Sequence, residues 1–136
     1  MAAEARHAEG PILVVDDDAV NRQLAVDFLN YKGFSAVAAA SASEAWRALC
    51  EMVPSLVILD IQMPETSGLE LLRRIRSGEN PAVSAVSVIA ATAMAMKGDR
   101  ERCLKSGADA YLSRPFSWSE LLATIAAVRG RHACSA

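Results

Sequence analysis

Three carboxylates carry the chemistry open to this chain: Asp16 and Asp17 close the apolar run Ile12–Val15, and Asp60 closes the run Leu56–Leu59. A carboxylate that ends a buried strand is costly to desolvate unless something pairs with it. Neighbouring strand ends lie about 4.8 Å apart, close enough for such groups to share one small ligand. Crowded carboxylates repel, and raise one another's pKa unless a cation sits among them. A hard divalent ion suits that donor set, and Mg²⁺ is held by a few carboxylates together with waters and phosphate oxygens. Thr92, at the end of the apolar run that starts at Val86, adds a hydroxyl, and Arg114, just beyond Ala110–Leu112, adds a guanidinium. A hydroxyl and a guanidinium opposite the metal suit a phosphoryl group. Asp60 then reads as a carboxylate nucleophile that accepts a phosphoryl group while the metal neutralises charge in transit.

The elements that must position these residues alternate strictly. Val20, Leu24 and Phe28, with Ala25 and Leu29 beside them, recur at helical spacing after the first strand, and Gly33 ends that helix. Asp18 is the expected helix cap. Phe34–Ala38 reads as a second strand, and Ser41 with Glu44 opens a helix that runs to about Met52. After the third strand, Gly68 starts a helix carrying Leu69, Leu72 and Ile75, which stops near Gly78. Val86–Ala90 is a fourth strand, Lys97–Ser106 a helix and Ala110–Leu112 a short fifth strand. Ser117 with Glu120 opens a last helix with Leu121, Leu122, Ile125 and Val128 on one side, and Arg129–Ala136 is expected to fray. Five β–α pairs predict an α/β fold, a parallel sheet with helices on both faces. Five strands cannot close an eightfold barrel. The sheet is therefore expected to be open, flavodoxin-like, in the order 2-1-3-4-5, with its switch point between the first and third strands. Asp16, Asp17 and Asp60 flank that crevice.

Composition narrows the partners. At 136 residues and 14.5 kDa, 52% of them hydrophobic, the chain suffices for one domain. A net charge of −2 and a pI near 5.7 argue against non-specific nucleic-acid binding. No apolar stretch reaches the roughly 18 residues of a membrane span. Met1–Gly10 lacks the apolar core of a signal peptide. Cys50, Cys103 and Cys134 share no metal-ligand spacing and read as reduced thiols, which points to a cytoplasmic setting. Residues 1–10 and 130–136 are expected to be flexible tails.

The pieces ILVVDDD, LVILDIQMPETSG, VIAATA and GADAYLSRPF follow one another in order. On these the chain resembles the CheY-like response-regulator receiver domain of two-component signalling, over roughly residues 11–129. The resemblance implies that Asp16, Asp17 and Asp60 hold Mg²⁺ together with the Gln62 backbone carbonyl, and that Asp60 is the phosphoacceptor. It assigns Thr92 as the switch hydroxyl, Tyr111 as the aromatic that follows it, and a cis bond to Arg114–Pro115. The implied partners are a sensor histidine kinase or a histidine phosphotransfer protein, and a downstream protein that reads the face of the fourth helix, fifth strand and fifth helix. A signalling domain, not a turnover enzyme, is implied.

One residue departs from the family pattern. Arg114 stands where the family almost always has a Lys that reaches the phosphoryl oxygens and bridges to the phosphoacceptor. Arg keeps the charge but is planar and bidentate, so it is not a neutral replacement. The departure leaves open a pseudo-receiver, an interaction module that ignores phosphate. A haloacid-dehalogenase-type phosphatase is a further alternative, because Asp16-x-Asp18-x-Val20 imitates that family's nucleophile motif. It lacks a GDxxxD pair, since Gly98-Asp99 is followed by Cys103, and it leaves Asp60-Ile-Gln-Met-Pro unexplained. Trp46 and Trp118 are expected to be half-buried packing residues. Met94 and Met96, flanking the fourth helix, read equally as gap-fillers or as part of an adaptable surface.

Overall fold

The structure, a computed structural model, describes residues 10–63, 67–92 and 98–135, with side chains through residue 129. Its strands are β1 (Ile12–Val15), β2 (Ala36–Ala39), β3 (Leu56–Asp60), β4 (Ser87–Thr92) and β5 (Ala110–Ser113). Its helices are α1 (Ala19–Tyr31), α2 (Ala42–Met52), α3 (Gly68–Arg76), α4 (Asp99–Lys105) and α5 (Trp118–Ser135). All strand pairs are parallel, in the order β2-β1-β3-β4-β5. The expected flavodoxin-like order is the one formed.

Strand alternation splits the core in two. Leu13, Val15, Val57, Leu59, Val88 and Ala90 face α2, α3 and α4, meeting Leu49, Leu72, Ile75 and Cys103. Ile12, Val14, Leu56, Ile58 and Ile89 face α1 and α5, meeting Leu29, Leu121, Ile125 and Val128. β1, β3 and β4 are buried on both faces, which is why their sequences run apolar without alternating. Side chains of the size of Leu and Ile contribute about 1.5–3 kcal/mol each when fully buried, so these two layers dominate the stability.

Register brings the reactive residues to one edge. Val15 pairs with Leu59, so Asp16 and Asp60 are the next residues along adjacent strands. Asp60 pairs with Ala91, and Thr92 with Ser113. The Arg114 N–H then donates to the Thr92 carbonyl at 2.7 Å, fixing the start of the loop that carries the guanidinium. Gly68 seats α3 against β3. A Cβ there would lie 2.4 Å from the Asp60 carbonyl oxygen and 2.7 Å from the Ile61 Cα, so no larger residue fits without moving that backbone.

Several local expectations are corrected. The second strand is Ala36–Ala39, and Phe34 instead fills the core on the α1/α5 side. α5 stays helical to Ser135, beyond the point at 129 where fraying was expected. Ala and Arg are strong helix formers, enough to carry the helix past the single Gly130. On α1 the apolar spacing misleads: Ala25, Val26, Phe28 and Leu29 pack inward, while Val20 and Leu24 are 67% and 51% exposed. Trp46 is half-buried, but Trp118 is 41% exposed and stacks on Phe28 with ring centroids 4.5 Å apart. Residues 1–9, Met94 and Met96 lie outside the described residues.

Candidate functional site

The site grows from the ends of β1 and β3. Asp16 is buried. Its Oδ1 accepts the Asp18 N–H at 2.9 Å, and its backbone carbonyl accepts the Arg22 Nη1–H at 2.8 Å. Asp17 is exposed at the mouth. Asp18 has the separate task expected of it, accepting the Val20 and Asn21 N–H groups as the cap of α1. Asp60 is 9% exposed, and its Oδ1 accepts the Gln62 N–H at 3.0 Å.

Asp16, Asp17 and Asp60 each offer a carboxylate oxygen, and these oxygens all lie within 4.8 Å of one another. Burial pushes the Asp60 carboxyl up to about 7, against the lowering effect of the Gln62 N–H; the charges of Asp16 and Asp17 add to the rise and Arg114 opposes it. Such a carboxyl gains from any cation placed among its neighbours. A donor set made only of hard carboxylate oxygens, with the Asp60 carboxyl pushed up chiefly by burial, fits Mg²⁺.

Thr92 is fully buried at the end of β4, one residue beyond the partner of Asp60. Tyr111 sits on β5 against the α2/α3/α4 face. Its hydroxyl is buried and has no hydrogen-bond partner among the described residues. Burial raises the phenol's pKa, with Asp99 and Cys103 adding to the effect. The Arg114–Pro115 peptide is cis, as the resemblance implies.

Arg114 comes to the site but takes a different partner from the one the family's Lys suggests. Its Nη2–H donates to Asp16 Oδ2 at 2.7 Å, and the two side chains are 21% and 2% exposed. Both carboxylates have one oxygen on a backbone N–H, Asp60 on Gln62 and Asp16 on Asp18; Asp16 is the more deeply buried of the two. A long planar guanidinium reaches it. This pairing and the Arg22 contact were not visible in the sequence, because both join residues by a length of side chain that spacing does not fix.

The comparisons agree with this geometry. The profile of the response regulator receiver domain matches residues 12–126, and the chain belongs to that family. It is 36% identical over 119 residues to the polar-differentiation response regulator DivK of Brucella ovis and of Brucella abortus, covering 88% of this chain and 95% of theirs. Among structures, a CheY-like receiver domain protein from Methanospirillum hungatei superposes with a TM-score of 0.84 at 27% identity, covering 93% of this chain and 98% of its own. A two-component response regulator from Clostridium difficile gives 0.82 at 28%, covering 90% and 98%. The protein is thus a CheY-like receiver domain of two-component signalling. Among the described residues no helix is long and apolar enough to cross a membrane.

Proposed function

We propose that this receiver is a phosphoryl-accepting switch. A carboxylate oxygen of Asp60 attacks the phosphorus of a phosphohistidine on a sensor kinase or histidine phosphotransfer protein, and the histidine nitrogen leaves. The observation that carries this reading is the trio of carboxylate oxygens within 4.8 Å, with Asp60 buried among them. Asp16, Asp17 and Asp60, with the Gln62 carbonyl, would hold Mg²⁺, which supplies neutralisation of the phosphoryl charge. Thr92 would offer its hydroxyl to the new phosphoryl oxygens. Tyr111, whose hydroxyl has no hydrogen-bond partner among the described residues, would follow it. The domain then signals through the face of α4, β5 and α5 and turns over no external substrate.

Acetyl phosphate with Mg²⁺ is expected to add one phosphoryl group to the intact mass, and EDTA to prevent it. An unchanged mass, with a known receiver modified in parallel, would favour the pseudo-receiver. Steady hydrolysis of an aryl phosphate would favour the phosphatase reading.

Val20 and Leu24 support a protein donor. They leave an apolar strip on the first turns of α1, directly after Asp16 and Asp17, where a donor's helices would have to approach. Leu24→Glu is expected to slow transfer from a phosphorylated histidine protein by about tenfold, as loss of an apolar anchor does. Labelling by acetyl phosphate should be unaffected. Equal slowing of both donors would place the defect in the site itself.

A further inference from the structure

Asp16 is the most buried of the three carboxylates, and both of its side-chain oxygens are engaged: Oδ1 by the Asp18 N–H at 2.9 Å, Oδ2 by Arg114 Nη2–H at 2.7 Å. A divalent ion held by Asp16 and a guanidinium on the same oxygen would stand within about 4 Å, where like charges repel strongly in a partly buried site. We infer that Arg114 is a displaceable stand-in cation. It occupies Asp16 in the metal-free protein and leaves that carboxylate when Mg²⁺ binds, so that metal loading and release of the guanidinium are one coupled event. The inference rests on the metal site of the proposed function.

Two further features support a side chain that can leave. First, the hold on Asp16 runs through Nη2, while Arg114 Nε is buried with no hydrogen-bond partner among the described residues. A buried donor without an acceptor is a standing cost that the present position does not relieve. Second, there is room beside it. Arg114 lines a cavity of about 410 Å³ shared with Asn21, Leu24, Phe116 and Trp118. Its Cζ is already 5.6 Å from the Phe116 ring, within reach of a cation–π contact that can receive the guanidinium. The family's Lys, a compact ammonium, would present one point of charge; the larger fork of Arg makes occupancy of Asp16 and metal binding harder to combine.

The test is Mg²⁺ affinity by titration calorimetry, with no phosphodonor present, on the wild type, Arg114→Ala and Arg22→Gln. Arg114→Ala is expected to bind Mg²⁺ about tenfold tighter or more, because the ion no longer displaces a charge. Arg22→Gln removes the same charge from the Asp16 carbonyl instead of its carboxylate, frees no carboxylate oxygen for the metal, and should raise the affinity clearly less than Arg114→Ala does. In the wild type the Nε–Hε NMR resonance of Arg114 should shift along the same titration curve as the metal. Should Arg114→Ala fail to fold, Arg114→Lys is expected to show the same sign with a smaller factor. Equal or weaker binding by the Arg114 variants would overturn the inference while leaving the metal site standing. An equal gain in Arg22→Gln would reduce Arg114 to general charge and also overturn it. If no form binds Mg²⁺, the metal reading fails and the inference falls with it.

Discussion

Asp60→Asn is expected to take no phosphoryl group and, without metal, to be more stable than the wild type above neutral pH. The first half follows from the loss of the nucleophilic oxygen. The second follows from burial, which with Asp16 and Asp17 raises the Asp60 carboxyl from 3.8 to about 7 in the fold. A group whose folded pKa is raised keeps its full contribution to stability below the unfolded value and loses it as pH climbs through the folded one. The wild type should therefore lose roughly 2–4 kcal/mol between about pH 4 and pH 8 on account of this one group. An amide keeps an oxygen for the Gln62 N–H and removes the charge. Urea unfolding of both forms should show stabilities that agree near pH 4, diverge steadily as pH rises from there, and differ by a constant amount above about pH 8. Saturating Mg²⁺ should narrow the gap at pH 8, since a ligand of the native state stabilises in proportion to its affinity. Parallel curves at every pH would mean that Asp60 is not strained by its neighbours, and a phosphoryl adduct on the variant would mean that the acceptor is another residue.

The parallel sheet and the carboxylate edge were legible because they depend on pattern, and the order 2-1-3-4-5 followed from the flavodoxin-like arrangement of five such units. Apolar runs of strand length, each ending in a polar residue and followed by a helical repeat, can only stack as a parallel sheet. Parallel strands in register put Asp16, Asp60 and Thr92 at one edge. What escaped the sequence depends on distances of a few ångströms. The spacing of Val20 and Leu24 is as regular as that of Ala25 and Leu29, and only the docking angle of α1 decides which pair is covered. Arg114 starts after β5, three strand spacings from β1, about 14 Å, so its pairing with Asp16 depends on loop path and side-chain length together. The continuation of α5 to Ser135 turns on helix propensity, a weak signal beside the loss of apolar periodicity after Val128.

Arg76 shows the same limit at the opposite edge, and its removal is expected to be among the most damaging single changes outside the core. On sequence it is one of three arginines in the last turn of α3, indistinguishable from a solvated helix end. In the fold its Nε–H donates to the Gly107 carbonyl at 2.9 Å, and its Nη1 to the carbonyls of Ser84 and Val86 at 2.8 and 2.6 Å. Its Nη2 meets Asp109 Oδ2 at 3.0 Å, and that oxygen also accepts the Val88 N–H at 2.8 Å. One guanidinium thus ties the end of α3 to the starts of β4 and β5. Gly107 is shaped to it: with φ at +114°, an added Cβ would stand 2.6 Å from Arg76 Cγ. Arg76→Ala takes the guanidinium from three carbonyls and from beside the partly buried Asp109 carboxylate, which keeps the Val88 N–H, so a loss of roughly 2–4 kcal/mol is expected. In a chain of this size that lowers Tm by on the order of 10 °C. Arg76→Lys should recover little, because one ammonium cannot span four acceptors set around a planar fork. Labelling of Asp60 by acetyl phosphate below the new Tm should persist, since the clamp lies at the amino edge of β4 and β5 and the acceptor at the carboxyl edge of β3. A variant that melts within about 2 °C of the wild type, a shift worth well under 1 kcal/mol in a domain of this size, would show that water replaces the guanidinium at little cost.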